Sequence, residues 1–322
     1  MTGPTERFVQ SGDVRLRIVE QGEGPLVLLV HGWPELAYSW RHQMAALADA
    51  GYHVVAPDMR GYGGSDAPQA VDAYTIQKVT GDLNAIIDDV GADKATIVGH
   101  DWGAIVSWHA VLLHPERYNG IAALSVPYSG RSEQSLTDAL RQAMGDNFYY
   151  ILYFQQDGVA EAEFDADPRG ILSRLYTSPD TPREAPEITD PKMSAGGWIP
   201  RNGAPTELPD WLTQEELDHY VETFAESGFR GGINYYRNFQ HNWETTPELS
   251  GAQVGVPAVF IAGSEDMVIR GADAEKLRKV LSAHVPDLRD VILIDGKGHW
   301  IQQEAPAEVN AALISFLDSL ER

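Results

Sequence analysis

Eight short hydrophobic runs along the chain predict β-strands. The first two runs alternate between apolar and polar residues, as in an exposed antiparallel pair, whereas several later runs are apolar at successive positions. Runs of the second kind are typical of strands that helices cover on both faces, so most of the sheet should be parallel. In chain order the runs are ERFVQ, VRLRIVE, PLVLLV, HVVAPD, ATIVG, GIAALSV, AVFIAG and DVILID.

Helical periodicity fills most of the gaps between these runs. Apolar residues recur there with the spacing of one helix face. The alternation of strands and helices predicts βαβ units with right-handed crossovers. We therefore expect an α/β fold with a mostly parallel eight-stranded sheet flanked by helices. The helical segments are residues 40–50, 76–90, 104–113, 272–282 and 306–320.

The alternation stops between the sixth and seventh runs. Residues 128–246 are helix-like, rich in aromatic residues and without a comparable strand. We expect a core formed by residues 1–127 and 247–322, with residues 128–246 inserted after strand six as a helical cap. Within the insertion, residues 177–211 hold seven prolines, which oppose regular helix. This proline-rich segment is either a flexible linker or a lid over a site.

Composition narrows the range of partners. The 322 residues include 24 Lys and Arg against 47 Asp and Glu, a formal net charge of −23. Phosphate-rich surfaces need clustered cations, so neither nucleic acid nor an anionic membrane is an expected partner. No run approaches the roughly 18 apolar residues that span a bilayer, and the start of the chain lacks a signal-peptide pattern. We expect a cytoplasmic monomer or homodimer without membrane insertion.

The residues that usually hold metals and cofactors are absent or wrongly spaced. The chain has no cysteine, which excludes disulfides, a thiolate nucleophile and zinc–thiolate sites. His100, His109 and His114 show no metal-binding spacing with a carboxylate. The run DMRGYGGSD lacks the Gly-x-Gly-x-x-Gly spacing of a dinucleotide loop. The sequence therefore predicts no metal ion and no organic cofactor.

The stretch VGHDWGA, residues 98–104, predicts a tight strand-to-helix turn that presents an aspartate. Gly99 and Gly103 stand two residues before and after Asp101, as a sharp turn that exposes a reactive side chain requires. The N-terminus of the following helix favours an ionised carboxylate and offers the main-chain N–H of Trp102 as an anion donor. Asp101 is thus a candidate nucleophile, and the alternative is that it only caps the helix.

Two further loops at strand ends offer an acid and a histidine. GSEDMV follows the seventh strand and contains Asp266, and GKGHWIQQE follows the eighth and contains His299. Carboxyl ends of parallel strands meet at one edge of a sheet, where such folds place their sites. The order of nucleophile, acid and histidine predicts a catalytic triad. Glu265 and Glu304 are competing acids, and we favour Asp266.

The loop HGWPE, residues 31–35, follows the third strand. In this fold the main-chain N–H of Trp33 would face that of Trp102, and the two donors would form an oxyanion hole. Pro34 would shape the turn, with a cis peptide bond as one option. His31 is expected to hold the loop through hydrogen bonds.

Together HGWP, DMRGYGGSD, VGHDWGA, GSEDMV and GKGHW resemble the α/β-hydrolase fold, over nearly the whole chain. With aspartate at the turn, the set resembles the soluble epoxide hydrolase branch in particular. Attack by a carboxylate on saturated carbon leaves an ester that water can hydrolyse, which suits epoxides or alkyl halides. Haloalkane dehalogenases share this aspartate, so the same motifs leave that reaction open.

Two tyrosines of the insertion favour an epoxide. The oxygen of an opening epoxide needs a donor that can deliver a proton, whereas a halide needs only N–H donors. LYFQQDGVAEAEF resembles a cap segment of the family and maps its tyrosine onto Tyr153. GFRGGINYYRNFQHNW resembles the second cap segment of the family, whose tyrosine maps onto Tyr236 rather than Tyr235. The alternative is an aromatic stripe that packs the cap, since Tyr149 and Tyr153 are four residues apart.

The resemblance implies an epoxide hydrolase that converts epoxides to vicinal diols through a hydroxyalkyl ester on aspartate. Its partners are a small-molecule epoxide and water, and no cofactor is implied. Two alternatives stay open, a haloalkane dehalogenase and a ligand-binding member of the fold without turnover. The implied catalytic residues are Asp101, Asp266, His299, Tyr153 and Tyr236, with the main-chain N–H groups of Trp33 and Trp102 as the oxyanion hole.

Overall fold

A single eight-stranded sheet organises the core of the protein, whose computed structural model describes residues 3–269 and 271–320. Strand β1 pairs antiparallel with β2, and β2 pairs antiparallel with β4, while the other neighbours are parallel. The order across the sheet is β1-β2-β4-β3-β5-β6-β7-β8. The eight predicted strands and the mostly parallel sheet are confirmed. The strands are β1 (Thr5–Ser11), β2 (Val14–Gln21), β3 (Leu26–Val30), β4 (His53–Pro57), β5 (Ala95–His100), β6 (Tyr118–Leu124), β7 (Ala258–Gly263) and β8 (Leu288–Ile294).

Helices cover both faces of this sheet. The five predicted helical segments correspond to α1, α2, α3, α11 and α13, and their observed ends lie within two residues of the predicted ones. The described helices are α1 (Arg41–Asp49), α2 (Ile76–Asp89), α3 (Trp102–Leu113), α4 (Leu136–Met144), α5 (Tyr150–Phe154), α6 (Val159–Ala166), α7 (Pro168–Leu175), α8 (Gln214–Ser227), α9 (Arg230–Arg237), α10 (Phe239–Thr245), α11 (Ala274–Ser282), α12 (Ile301–Glu304) and α13 (Pro306–Asp318).

The apolar side chains of the central strands divide between two cores. Along β3, Val27 and Leu29 join the core beneath α1 and α13, whereas Leu28 and Val30 join the core beneath α2 and α3. Successive side chains of a strand point to opposite faces, so a run that is apolar throughout supplies both cores at once. This is why the middle strands lack the alternation of β1 and β2.

Between Leu124 and Ala258 the chain forms helices α4 to α10 and no strand of the sheet. This segment packs closely on the loop after β4. A Cβ on Gly231 of α9 would lie 2.2 Å from the carbonyl oxygen of Gly61, so only glycine permits the two backbones to approach so closely. The boundaries of the cap at residues 128 and 246 stay a prediction.

The proline-rich segment is irregular, as its prolines predicted. It contains two short 3₁₀ turns, Met193–Ala195 and Ile199–Arg201, and an isolated bridge between Arg183 and Pro205. Among residues 3–269 and 271–320, no helix has the length and apolar character that crossing a membrane requires. The carboxyl ends of β3, β5, β7 and β8 meet beneath this segment and the helices around it, and the candidate site lies there.

Candidate active site

Asp101 occupies a strained turn between β5 and α3. Its φ of 53° and ψ of −117° lie outside the regions that non-glycine residues usually adopt. A Cβ on Gly99 would lie 2.2 Å from the carbonyl oxygen of Gly103, and one on Gly103 would lie 1.9 Å from that of Val30. Both glycines are therefore required for close packing of strand and helix, and the turn holds the Asp101 carboxylate at the edge of the sheet.

His299 stands between two carboxylates. Its Nδ1 lies 3.1 Å from each carboxylate oxygen of Asp266, and its Nε2 lies 3.6 Å from Oδ2 of Asp101. Asp266 is fully buried, whereas Glu265 beside it is exposed. The carboxylate of Glu304 accepts two main-chain N–H groups from the loop that carries the histidine. The structure thus brings Asp101, Asp266 and His299 together and gives Glu304 a role in shaping the loop.

The two carboxylates control the protonation of this histidine. Burial opposes a charged imidazole, but the charges and hydrogen bonds of Asp266 and Asp101 outweigh it and raise the pKa of His299 well above its ordinary value. Burial also opposes the charge of Asp266, yet His299 and donors from Val268 and Ser125 lower the pKa of that carboxyl. The two carboxyl groups therefore favour the protonated form of the imidazole that lies between them.

A buried contact between a carboxyl group and an imidazole supports the histidine loop. Glu35 Oε2 lies 2.6 Å from Nδ1 of His100, and the imidazole of His100 donates from Nε2 to the main-chain carbonyl of His299 at 2.7 Å. The Ser125 hydroxyl donates to the same carbonyl at 3.0 Å, and Gln302 donates to Glu35 at 2.7 Å. Sequence reasoning missed this support, although Glu35 and His100 lie within the motifs HGWPE and VGHDWGA.

The loop after β3 reaches the nucleophile through its main chain. The N–H of Trp33 donates to Oδ1 of Asp101 at 2.8 Å, and Trp102 is the first residue of α3 beside that carboxylate. The bond between Trp33 and Pro34 is cis. His31 donates from Nδ1 to the Gly32 carbonyl at 2.8 Å and accepts the N–H of Met59 at Nε2 at 3.0 Å. The expected role of His31 in holding the loop is confirmed.

Tyr236 of α9 lies above the same carboxylate. Its ring packs edge-on against Trp33 at 5.7 Å and Trp102 at 5.0 Å. Burial and the charge of Asp101 raise the pKa of its phenol well above the ordinary value, while a hydrogen bond with the Trp102 side chain acts in the opposite direction. Its neighbour Tyr235 points elsewhere and donates to the Arg60 carbonyl at 3.0 Å.

The structure does not bring the Tyr153 hydroxyl to Asp101, and the charge of Asp101 acts on Tyr150 instead. The Tyr153 hydroxyl donates to Glu163 at 2.8 Å. Tyr150, at the start of α5, packs edge-on against Tyr236 at 5.9 Å, and burial together with the charge of Asp101 raises the pKa of its phenol. The segment FYYILYF offers three tyrosines, and the orientation of a five-residue helix, set by tertiary contacts, decides which of them faces the carboxylate.

A cavity of about 260 Å³ adjoins the site on the far side of Trp102. The indole of Trp102 stacks on Phe239 at 4.8 Å, and the two rings form one wall. Two buried polar atoms in the cavity wall, the Tyr128 hydroxyl and Arg131 Nε, have no hydrogen-bond partner among the described residues. Other lining residues are mainly apolar or aromatic and include Ile76, Ile105, Trp108, Val126, Pro127, Trp243 and Leu249.

No group of three or more histidine, cysteine, aspartate or glutamate side chains in the described part of the chain is arranged to hold a metal ion. The carboxylate of Asp101 lies within reach of a histidine. Main-chain N–H donors and two phenols complete the site around it. Such a set can perform nucleophilic displacement, protonation of a leaving oxygen and hydrolysis of the resulting ester.

Comparisons with known proteins identify the family of the chain. A family model described as alpha/beta hydrolase fold matches residues 25–306. The chain is 51% identical over 326 residues to epoxide hydrolase A of Mycobacterium tuberculosis (strain ATCC 25618 / H37Rv), covering 100% of this chain and 99% of that protein. It is 37% identical to epoxide hydrolase 2 of Siraitia grosvenorii, with 96% of each covered. The crystal structure of epoxide hydrolase A from Mycobacterium thermoresistibile superposes with a TM-score of 0.89 at 50% identity, covering 99% of each chain.

Proposed function

The chain belongs to the epoxide hydrolases of the α/β-hydrolase fold family, and we propose that it opens epoxides with Asp101 as nucleophile and with Tyr150 and Tyr236 as the donors to the epoxide oxygen. One observation carries the assignment of the donors. The two phenols pack against each other at 5.9 Å, and the charge of Asp101 raises the pKa of both. An epoxide held by the two hydroxyls would present its ring carbons to the carboxylate.

In the first half-reaction, a carboxylate oxygen of Asp101 forms a bond to a ring carbon as the bond between that carbon and the epoxide oxygen breaks. The oxygen leaves as an alkoxide, which is far more basic than a phenolate and takes a proton from the tyrosine pair. Because their raised pKa values keep both phenols protonated at neutral pH, they are available as donors. The product is a hydroxyalkyl ester on Asp101.

In the second half-reaction, water hydrolyses the ester. Formation of the ester removes the negative charge of Asp101, one of the two charges that hold the pKa of His299 high. The protonated His299 can then return a proton to the tyrosinate left by ring opening. The neutral imidazole, oriented by Asp266, takes a proton from water as the hydroxide attacks the ester carbonyl. The N–H groups of Trp33 and Trp102 stabilise the oxyanion. As the acyl–oxygen bond breaks, the departing alkoxide takes the proton from His299 and leaves as the vicinal diol. The new carboxylic acid of Asp101 then passes its proton to His299, which restores the carboxylate and the protonated imidazole.

Isotope labelling tests this scheme. In a single turnover in H₂¹⁸O with excess enzyme, the diol should carry the unlabelled oxygen of Asp101, and the peptide containing Asp101 should gain ¹⁸O. Labelled diol in the first turnover would mean that water attacks the epoxide directly and would refute the ester. Parallel assays of diol from epoxides and of halide from bromoalkanes separate this activity from dehalogenation.

The mainly apolar cavity beside Trp102 supports substrates with an apolar substituent.

The substrates are a small-molecule epoxide and water. We propose that the protein is a cytoplasmic monomer or homodimer that does not bind nucleic acid, and its net charge of −23 supports the last point. Light scattering on the purified protein and fractionation of the source cells would test these expectations.

A further inference from the structure

An aromatic ring of the proline-rich segment lies between the core loop and the tyrosine pair. The indole of Trp198 stacks on Trp33 with a centroid distance of 5.7 Å and an angle of 9°. The same indole stacks on Tyr150 at 4.9 Å and 16°, and it also contacts the rings of Phe154 and Phe164. Trp198 thus contacts Trp33, whose main-chain N–H binds Asp101. It also contacts Tyr150, whose phenol is subject to the charge of the same carboxylate.

One carboxylate holds the main chain at Trp198. Glu163 accepts the N–H of Trp198 at 2.9 Å, the N–H of Ile199 at 2.9 Å and the hydroxyl of Tyr153 at 2.8 Å. A Cβ on Gly197 would lie 2.2 Å from Oε1 of Glu163, so the close approach of the carboxylate requires glycine there. Hydrogen bonds to an ionised acceptor are stronger than neutral ones, and three of them fix this point of an otherwise irregular segment.

The stack restricts the orientation of the Tyr150 ring. A parallel neighbour at 4.9 Å leaves a phenol little freedom to turn about its own axis, whereas edge contacts alone leave more. A hydroxyl that must bind the oxygen of an opening ring works best when its direction is set before the substrate arrives. Trp198 supplies that constraint from outside the short helix on which Tyr150 lies.

We propose that Trp198 is a positioning residue for epoxide ring opening, which holds the Tyr150 phenol in the direction of the epoxide oxygen. The carboxylate of Glu163, with Tyr153, keeps Trp198 in place. The inference rests on the proposed function of Tyr150. It assigns the proline-rich segment a part in the first half-reaction and none in hydrolysis of the ester, whose groups belong to the loops after β3, β5, β7 and β8.

Single-turnover kinetics separate the two half-reactions, with the ester on Asp101 followed by rapid quenching and mass spectrometry. Trp198→Ala should slow ester formation about tenfold and leave ester hydrolysis unchanged. In the background of Tyr150→Phe, the same substitution should have no further effect, since the hydroxyl it orients is already gone. An equal loss in both backgrounds, or none in the wild type, would overturn the inference.

Three other variants guard against a general effect on the cap. Trp198→Phe should retain most of the rate of ester formation because it keeps a ring in the stack. Trp198→Leu should not. Both variants test the role of Trp198 if Trp198→Ala fails to fold. Trp211→Phe is the matched control, since Trp211 lies in the same segment and its indole donates to the Ser178 hydroxyl at 3.0 Å. It should leave ester formation unchanged, and a loss equal to that of Trp198→Leu would count against the inference.

Tyr236→Phe separates the failure of this inference from that of the proposed function. If neither Tyr150→Phe nor Tyr236→Phe slows ester formation, the phenols are not the donors and the proposed function of Tyr150 is wrong. If both substitutions slow ester formation and Trp198→Ala and Trp198→Leu do not, only the role of Trp198 is refuted.

Discussion

The imidazole Nε2 of His299 lies 3.6 Å from Oδ2 of Asp101. This separation lets the charge of the nucleophile reach the base directly, and it links the protonation of the histidine to the chemical state of the aspartate. Asp266, on the other side of the ring, keeps its charge throughout the proposed cycle. The first two predictions follow from this arrangement.

Asp101→Asn should abolish diol formation and lower the pKa of His299. The amide is a poor nucleophile, and its neutrality removes one of the two charges that raise the pKa of the imidazole. Histidine NMR titration of the variant and the wild type measures the shift. An unchanged pKa would show that Asp266 alone sets the protonation of His299.

His299→Gln should trap the ester. Without the base, ring opening can proceed but hydrolysis slows by about a hundredfold or more. Intact-protein mass spectrometry after exposure to substrate should find a species heavier by the mass of one epoxide. The double variant with Asp101→Asn is the control, and an adduct there would place the modification on another residue.

Tyr150→Phe and Tyr153→Phe form a matched pair in one helix. Removing the Tyr150 hydroxyl should lower kcat/KM by about tenfold to a hundredfold, since a proton donor to the leaving oxygen is lost. Removing the Tyr153 hydroxyl takes one donor from Glu163, which keeps two main-chain N–H groups, so the loss should stay below about threefold. The reverse ranking would restore the assignment to Tyr153.

The raised pKa of His299 makes its contribution to stability dependent on pH. Relative to an unfolded pKa near 6.5, a higher folded pKa stabilises the protein fully below pH 6.5, and this contribution is lost as the pH rises through the folded value. The stability of the wild type relative to His299→Gln should therefore fall as the pH increases above 6.5. Denaturant titrations of both proteins at several pH values measure it, and a constant difference would contradict the prediction.

Gly103→Ala should prevent stable folding, while Gly81→Ala should not. A methyl group at residue 103 would overlap the Val30 carbonyl, at a cost of several kcal/mol, on the order of a severe core mutation. Gly81 lies within α2, where an added Cβ would meet no neighbouring atom within 4 Å, and alanine there should stabilise the helix by up to about 1 kcal/mol. Thermal unfolding followed by circular dichroism compares the two.

The strands and the positions of the triad residues could be predicted from sequence because both follow from local patterns along the chain. Hydrophobic runs revealed the strands, and their ends placed Asp101, Asp266 and His299 at one edge of the sheet before any contact was known. The choice between Tyr150 and Tyr153 could not be made in this way, because both lie in the same short helix and the packing of Trp198 and Glu163 around it decides the outcome.

Contacts between residues far apart in the sequence could not be predicted from the sequence either. Glu163 and Trp198 are separated by a stretch that includes much of the proline-rich segment, and no periodic pattern connects them. Glu35, in the loop after β3, contacts His100 at the end of β5, and each lies within a motif whose other residues had already been interpreted. In both cases the partner of the carboxylate is determined by the assembled fold.

The phenols lie in the insertion between β6 and β7, and the triad lies at the ends of core strands. The two half-reactions of the proposed cycle therefore depend on two different stretches of chain. In the proposed cycle, groups of the core hydrolyse the ester on Asp101, whereas the bond that is broken to make that ester depends on what the insertion places above the carboxylate. Residues 125–257 could therefore diverge, exchanging one leaving group or substrate shape for another, while the hydrolytic half of the cycle is inherited unchanged.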